Sequence, residues 1–272
     1  MGKWDEIRGC LVSLSFNLNS GIFSRTILVG IVMFYAVGLA AAQQVYPEPA
    51  GNDESGFERI FDGKTLDGWE GDHKYWRVEN GCLVGEVTPE TLLKQNSFIV
   101  WRGGTTRDFE LKVEYRVSAD GNSGINYRSV GVADNPFALK GYQCDIDGPN
   151  KYTGQNYEER GRTFLALRGD ISRVDADGKS RIIGSLGDIE GLARFIKDAE
   201  WNELHLIVRG NVMIHQLNGH VMSLVVDDDA AHRTFDGLLG VQVHIGPPMK
   251  IEYRSFRLKK LSTELLPKAS GN

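Results

Sequence analysis

The sequence is poor in several things, and each shortage narrows the field. It has 3 cysteines in 272 residues, and no Cys-x-x-Cys or His-x-x-x-His spacing occurs. A structural zinc site needs four closely spaced thiolate or imidazole ligands, so this class drops out. Basic residues do not exceed acidic ones, and the formal net charge is −5. Binding a phosphate backbone rests on basic charge, so a nucleic-acid partner is not expected. Long apolar runs are absent beyond residues 26–42, and no stretch repeats at a fixed period. Helical periodicity is also scarce. Only "LGDIEGLARFIKD" (186–198) has it, with Asp188 as the expected cap. Prolines number 8 against 32 glycines, a balance that favours many tight turns over long helices.

What is present reads as short alternating strands. The runs "YWRVE" (75–79), "CLVGEV" (82–87), "SFIVW" (97–101), "FELKVEYRV" (109–117) and "GINYRS" (124–129) come first. "GYQCDID" (141–147), "TFLALR" (163–168), "ELHLIVR" (203–209), "VMIHQL" (212–217) and "HVMSLVV" (220–226) follow. "LLGVQVHI" (238–245) and "KIEYRSFRLKKL" (250–261) close the series. The joints "ENG" (79–81), "RGN" (209–211) and "NGH" (218–220) are hairpin signals. The expectation is an all-β fold, an antiparallel sandwich with one short helix.

The ends of the chain carry a separate organisation. "TILVGIVMFYAVGLAAA" (26–42) has no charge, follows Arg25 and ends in an Ala-x-Ala pattern. It is expected to be a secretory signal cut near Ala42, which makes 1–42 a leader and the protein secreted or periplasmic. The alternative is an uncleaved membrane anchor, since the run approaches the span of about 20 apolar residues that a bilayer needs. Residues 43–56 read as a flexible linker, 57–262 as the folded domain and 263–272 as a tail. Cys82 and Cys144 remain for an oxidising compartment, as a disulfide or as two small buried residues.

Strand parity sorts the side chains by face. In 109–117, Phe109, Leu111, Val113, Tyr115 and Val117 oppose Glu110, Lys112, Glu114 and Arg116. In 124–129, Asn126 and Arg128 oppose Ile125 and Tyr127, and in 141–147 Gln143, Asp145 and Asp147 oppose Tyr142, Cys144 and Ile146. In 238–245, Gln242 and His244 oppose Val241, Val243 and Ile245. A solvated face usually carries Lys, Glu, Thr and Ser. Here planar hydrogen-bonding groups recur, and parity is read as one polar sheet face that is either solvent surface or the floor of a site.

The ordered segments "FERIFDGKTLDGWEGD", "YWRVENGCLVG", "FELKVEYRVSADGNSGINYRS", "GYQCDID", "EWNELHLIVRGNVMIHQLNGH" and "GLLGVQVHIGPPMKIEYRSFRLKKL" resemble the 3-keto-disaccharide hydrolase domain family. The resemblance runs from about Phe57 to Leu261. It implies a concanavalin A-like jelly roll and a carbohydrate partner. On the family's pattern, Glu114 and Arg116 take the positions of its acidic residue and strand arginine. Gly121-Asn122-Ser123-Gly124 takes its Gly-Asn-Ser-Gly segment, Arg128 its next arginine and His244 its late histidine. "GYQCDID" departs from the pattern, with Gln143 at a usual Glu and Asp145 at a usual Gln. The segment 152–169 resembles an insertion seen in part of the family and adds Glu158, Glu159, Arg162 and Arg168.

The activity implied is cleavage of glycosides that carry a ketone at C3. The ketone acidifies the proton on C2, elimination expels the C1 substituent, and water adds to the enone. Such a route needs a base, an oxyanion partner and an acid for the leaving oxygen. The preferred assignment gives acid–base or metal-ligand roles to His244 and Asp145, the oxyanion to Arg128, and orientation or metal binding to Glu114. Asn126, Gln143, Arg116, Asn122, Gln242 and Arg168 are expected to bind substrate. Asp145, His244 and Glu114 together would suit a divalent cation such as Mn²⁺, Zn²⁺ or Ca²⁺. Two other readings stand beside it: a non-catalytic carbohydrate-binding domain on the same face, and a two-carboxylate glycosidase. His205 and His215 are read as structural.

Overall fold

A computed structural model describes residues 53–262. The expected leader 1–42, most of the expected linker and the tail 263–272 lie outside the described residues. The first strands are β1 (Glu58–Arg59), β2 (Trp69–Glu70), β3 (Trp76–Glu79), β4 (Cys82–Val87), β5 (Ser97–Trp101) and β6 (Phe109–Val117). Then come β7 (Asn122–Val132), β8 (Asn135–Asp147), β9 (Asn156–Glu159), β10 (Thr163–Ala166), β11 (Asp170–Val174), β12 (Ser180–Ser185) and the helix α1 (Ile189–Ala193). The chain ends with β13 (Asn202–Arg209), β14 (Val212–Leu217), β15 (His220–Asp227), β16 (Leu238–Val243) and β17 (Met249–Lys260).

The strands form two sheets. The larger runs β12-β11-β15-β14-β13-β6-β17-β4-β3, with β1 added on β17; the smaller runs β10-β9-β8-β7-β16-β5-β2. The expected jelly-roll sandwich is therefore present. It departs from the strictly antiparallel expectation at one pair, since β11 runs parallel to β15 from Ile171↔Leu224 to Val174↔Asp227. Turn chemistry sets the hairpins. Asn80-Gly81 and Asn218-Gly219 all take positive φ (51°, 79°, 48° and 84°), the pattern of the tight turns that suit strand twist. Asp188 caps α1 through the Gly191 N–H, as the sequence predicts.

Alternation fills the core. Phe109, Leu111, Val113, Tyr115 and Val117 of β6 meet Ile125 and Tyr127 of β7, Tyr142, Cys144 and Ile146 of β8, and Val241 and Val243 of β16. Burial of these side chains is the main source of stability, at about 1.5–3 kcal/mol for each large one. Cys82 and Cys144 are both buried free thiols. His215 sits wholly inside the core, and His205 pairs with Glu110. Phe98, Val100 and Leu139 form a second, smaller apolar cluster with Leu238. Phe98 and Val100 alternate with core-facing Ile99 and Trp101, so this cluster lies on the outer face of the smaller sheet. No helix among the described residues is long and apolar enough to cross a membrane.

Candidate functional site

The outer face of the smaller sheet bears a cavity of about 570 Å³. Adjacent strands supply its floor. Gln143 and Asp145 come from β8, Asn122 from β7 and Tyr157 and Glu159 from β9; His244 and Ile245 follow β16. Register explains the grouping, since Asp145 lies opposite Gly124 and Gln143 lies between Asn126 and Tyr157.

Gly124 is needed where it stands. A Cβ there would lie 2.6 Å from Cγ and Cδ of Gln143. Its absence lets the Gln143 side chain lie across β7, where Gln143 Oε1 accepts from Gln242 Nε2 at 3.2 Å. Gln143 Nε2 then donates to Asp145 Oδ1 at 2.6 Å, and Gln155 Nε2 donates to Asp145 Oδ2 at 2.6 Å. Both oxygens of Asp145 are thus oriented, and the residue is only 9% exposed. Burial pushes its carboxyl up to about 7, against the lowering effect of the two amides; the charges of Asp147 and Glu159 add to the rise. A carboxyl that exchanges its proton near neutrality is suited to general acid–base work.

The loop after β8 is folded by Asp147. Its carboxylate accepts from the backbone N–H groups of Lys151, Tyr152 and Thr153 at 3.0, 2.7 and 2.8 Å. This turn brings Tyr152 and Gln155 to the cavity. Gln155 is also held from below, because His215 Nδ1 lies 3.2 Å from its carbonyl oxygen. That oxygen can only accept, so Nδ1 carries the proton and Nε2 accepts from the Tyr127 hydroxyl at 2.8 Å. Burial lowers the His215 imidazole to about 4 and keeps it neutral.

Aromatic rings form one wall. Phe164 is 48% exposed yet lines the cavity, stacked 6.4 Å from Tyr152 and edge-on to Tyr157 at 5.2 Å. Exposed rings beside convergent polar groups suit the apolar face of a sugar. On the opposite rim, Asn96 donates to Glu159 Oε1 at 3.3 Å and accepts from the Ile245 N–H at 2.9 Å. It ties the carboxylate to the segment that presents His244.

Of the residues expected from sequence, Asp145, His244, Gln143 and Asn122 meet in the cavity. Gln242 supports it from beneath. Asn126 is fully buried on the neighbouring strand, and both its amide atoms and Gln242 Oε1 lack partners. Four expectations need correction. Glu114 and Arg116 lie on β6 in the larger sheet and point outward from the other side of the sandwich. There Glu114 pairs with Arg254, Arg116 pairs with Glu252, and both arginines lie over Trp201.

Arg128 does not point where strand alternation predicts. Its φ is +47°, and the β7–β8 register shifts after Tyr127, which turns the side chain inward. The guanidinium is spent on the carbonyls of Arg107 (2.7 Å) and Gly210 (2.6 Å) and on Asp108 (3.0 Å). Arg168 braces the Asp147 loop by donating to the carbonyls of Thr153, Asn150 and Ile189, and it does not reach the cavity. The proposed cation ligands Asp145, His244 and Glu114 are consequently not assembled. Among the described residues no group of three or more His, Cys, Asp or Glu is placed to hold a metal ion.

The site residues missed in the sequence are Gln155, Tyr157, Tyr152 and Phe164, with Asn96 and Arg160 on the rim. The aromatic and amide residues crowded into "YTGQNYEERGRTF" (152–164) were the available signal.

Comparison with known proteins agrees with this architecture. The profile of the 3-keto-alpha-glucoside-1,2-lyase-like domain matches residues 56–259. A Bacteroides thetaiotaomicron protein named 3-keto-disaccharide hydrolase is 37% identical over 82 residues, which cover 28% of this chain and 28% of that protein. Two crystal structures of candidate glycosyl hydrolases from Parabacteroides distasonis share the fold. One has TM-score 0.50 at 18% identity, covering 79% of this chain and 100% of the other. The second has TM-score 0.50 at 17% identity, with 75% and 99% covered. With a profile match that spans most of its length, this chain belongs to the 3-keto-alpha-glucoside-1,2-lyase-like domain family.

Proposed function

We propose that this protein is a glycoside-cleaving enzyme acting on sugars oxidised to a ketone at C3, by elimination and hydration. The observation that carries the reading is Asp145, a buried carboxyl on a cavity floor, oriented at both oxygens and pushed up to about 7 by burial. Asp145 takes the proton from C2, and the electron pair of that C–H bond becomes the enolate on C3. Side-chain amide N–H of Asn122 at the cavity wall stabilises the oxyanion. The enolate collapses with loss of the C1–O bond, and His244 protonates the departing oxygen. Water then adds its hydroxyl to C1 as His244 takes its proton, and Asp145 returns its proton to C2, so both residues are reset and the net change is hydrolysis. Phe164 and Tyr152 supply the stacking surface that holds the ring over Asp145.

No step is routed through a metal, because the ligand set expected for one is split between the two sheets. The family and the partial Bacteroides relative support a hydrolase acting on carbohydrate. The uncharged run 26–42 supports export to the periplasm or beyond. The stacked aromatics would equally serve a module that only binds sugar. A carboxyl on the cavity floor held at both oxygens favours the enzyme.

The test is release of free sugars from 3-keto-trehalose and 3-keto-lactose. Turnover by the wild type that falls at least a hundredfold in Asp145→Asn, with sugar binding retained, supports the reading. Binding of both ketosugars without release would replace it with the binding-domain reading.

A further inference from the structure

A second cavity of about 500 Å³ adjoins the first, and Arg160 lines both. Its other walls include Lys140, Glu158, Arg162 and His232. The ridge between the cavities is the β9–β10 hairpin turn. Two of its non-glycine residues, Arg160 (φ 56°) and Thr163 (φ 68°), take the left-handed conformation. For a β-branched threonine this is costly and persists only where the surroundings enforce it.

The enforcement is visible. Arg162 donates to Glu158 Oε2 at 2.7 Å, to both oxygens of Asp227 at 3.0 and 2.7 Å, and to Asp229 at 3.2 Å. Tyr142 donates to the same Asp227 at 2.6 Å. The Arg162 side chain is 12% exposed and its three carboxylate partners less still. A buried network of this kind fixes geometry more than it stabilises. What it fixes is the ridge that presents Arg160.

The charges then divide into two sets. Glu158 is paired with Arg162. Arg160 is held only loosely, with Nε 3.8 Å from Glu159, and Lys140 is exposed and lines the same cavity. Two cations therefore line a cavity that shares Arg160 with the one that holds Asp145.

We propose that this second cavity is the subsite for the leaving portion of the substrate, and that it selects a leaving sugar bearing an oxyanion: a carboxylate, sulfate or phosphate. The inference rests on the cleavage proposed above. Guanidinium and ammonium groups recognise such anions by charge-assisted hydrogen bonds.

The experiment compares 3-keto-glucosides of one linkage whose leaving sugar is glucose, glucuronic acid, glucose 6-sulfate or glucose 6-phosphate. Wild type and Lys140→Met are assayed. KM for at least one anionic substrate should lie about tenfold below that for the neutral one. Lys140→Met should remove most of that preference, raising KM for the anionic substrate far more than for the neutral one. The ranking of the three anions identifies the group. Equal KM values, or a preference that survives Lys140→Met, overturn the subsite.

Calorimetric binding of the corresponding unoxidised disaccharides separates the two claims. Charge-dependent binding that is lost in Lys140→Met, with no ketosugar turned over, keeps the subsite and sinks the cleavage reading. Turnover without charge preference does the reverse. Neither effect defeats both.

Discussion

Replacing Asp145 by asparagine should make the protein more stable at alkaline pH while destroying its activity. The native carboxyl titrates at about 7 against an ordinary 3.8, with burial as the leading cause. A raised carboxyl means that the native state holds a proton that the unfolded chain has released. The stability tied to that proton is present at low pH and is lost as pH rises from about 4 through 7. Three pH units correspond to about 4 kcal/mol, and the interval from pH 5 to pH 7 to about 3 kcal/mol. Asparagine keeps the shape and carries no charge. Its amide nitrogen meets one donor where Asp145 met two, which Gln155 relieves by turning its own amide. Urea titrations of wild type and Asp145→Asn at pH 5 and pH 8 give the comparison. The variant's advantage should grow by roughly 1–3 kcal/mol between the two, after relaxation and water entry at the site. An advantage that stays constant from pH 5 to pH 8 would refute the elevated carboxyl, and with it the base.

Three further outcomes follow from the same geometry. Gln155→Leu keeps the volume and removes a donor that lowers Asp145, so the inflexion of kcat/KM against pH should move above 7 and turnover at pH 7 should fall. Arg128→Met strips donors from the carbonyls of Arg107 and Gly210 and leaves Asp108 unpaired; denaturant titration should show a loss of about 3–5 kcal/mol with kcat of the folded protein nearly unchanged. Glu114→Gln breaks a partly exposed pair with Arg254 and should cost no more than about 1 kcal/mol, with no effect on turnover.

Much of the fold was legible because its signals are local. Asn-Gly turns, alternating strands and the Asp188 cap each follow from a few adjacent residues. Parity also placed Gln143 and Asp145 on one face, and the structure keeps them there. It failed at Glu114 and Arg116 for a nonlocal reason. Alternation says which residues share a face of one strand, not which sheet that strand joins, and β6 joins the larger sheet between β13 and β17. At Arg128 the failure was conformational, since one left-handed residue and a register shift reverse the direction of a side chain. Gln155, Tyr157 and Phe164 were hidden because their position depends on the turn that Asp147 ties, eight to seventeen residues away in a segment with no periodicity.

Asp145 and His215 belong to one polar column through Gln155, whose side chain holds the carboxyl and whose carbonyl takes the imidazole proton. Burial perturbs both, with opposite consequences. His215 is lowered from 6.5 to about 4, so the unfolded chain binds a proton there that the native state refuses. Stability from this group is present above 6.5 and is lost as pH falls toward 4. Over the same interval Asp145 makes stability fall as pH rises. Each contributes a slope of about 1.4 kcal/mol per pH unit, with opposite signs, so their sum is nearly flat between pH 4 and 6.5. Removing one unmasks the other. Relative to wild type, the stability of Asp145→Asn should climb with pH across this window and that of His215→Met should decline. Difference curves from urea titrations at half-unit steps would show it, and parallel curves for both variants would mean that neither group is perturbed. The column thus accounts for how a site can bury a carboxyl at near-neutral pKa without making the whole domain strongly pH-sensitive in the range where that carboxyl is still protonated.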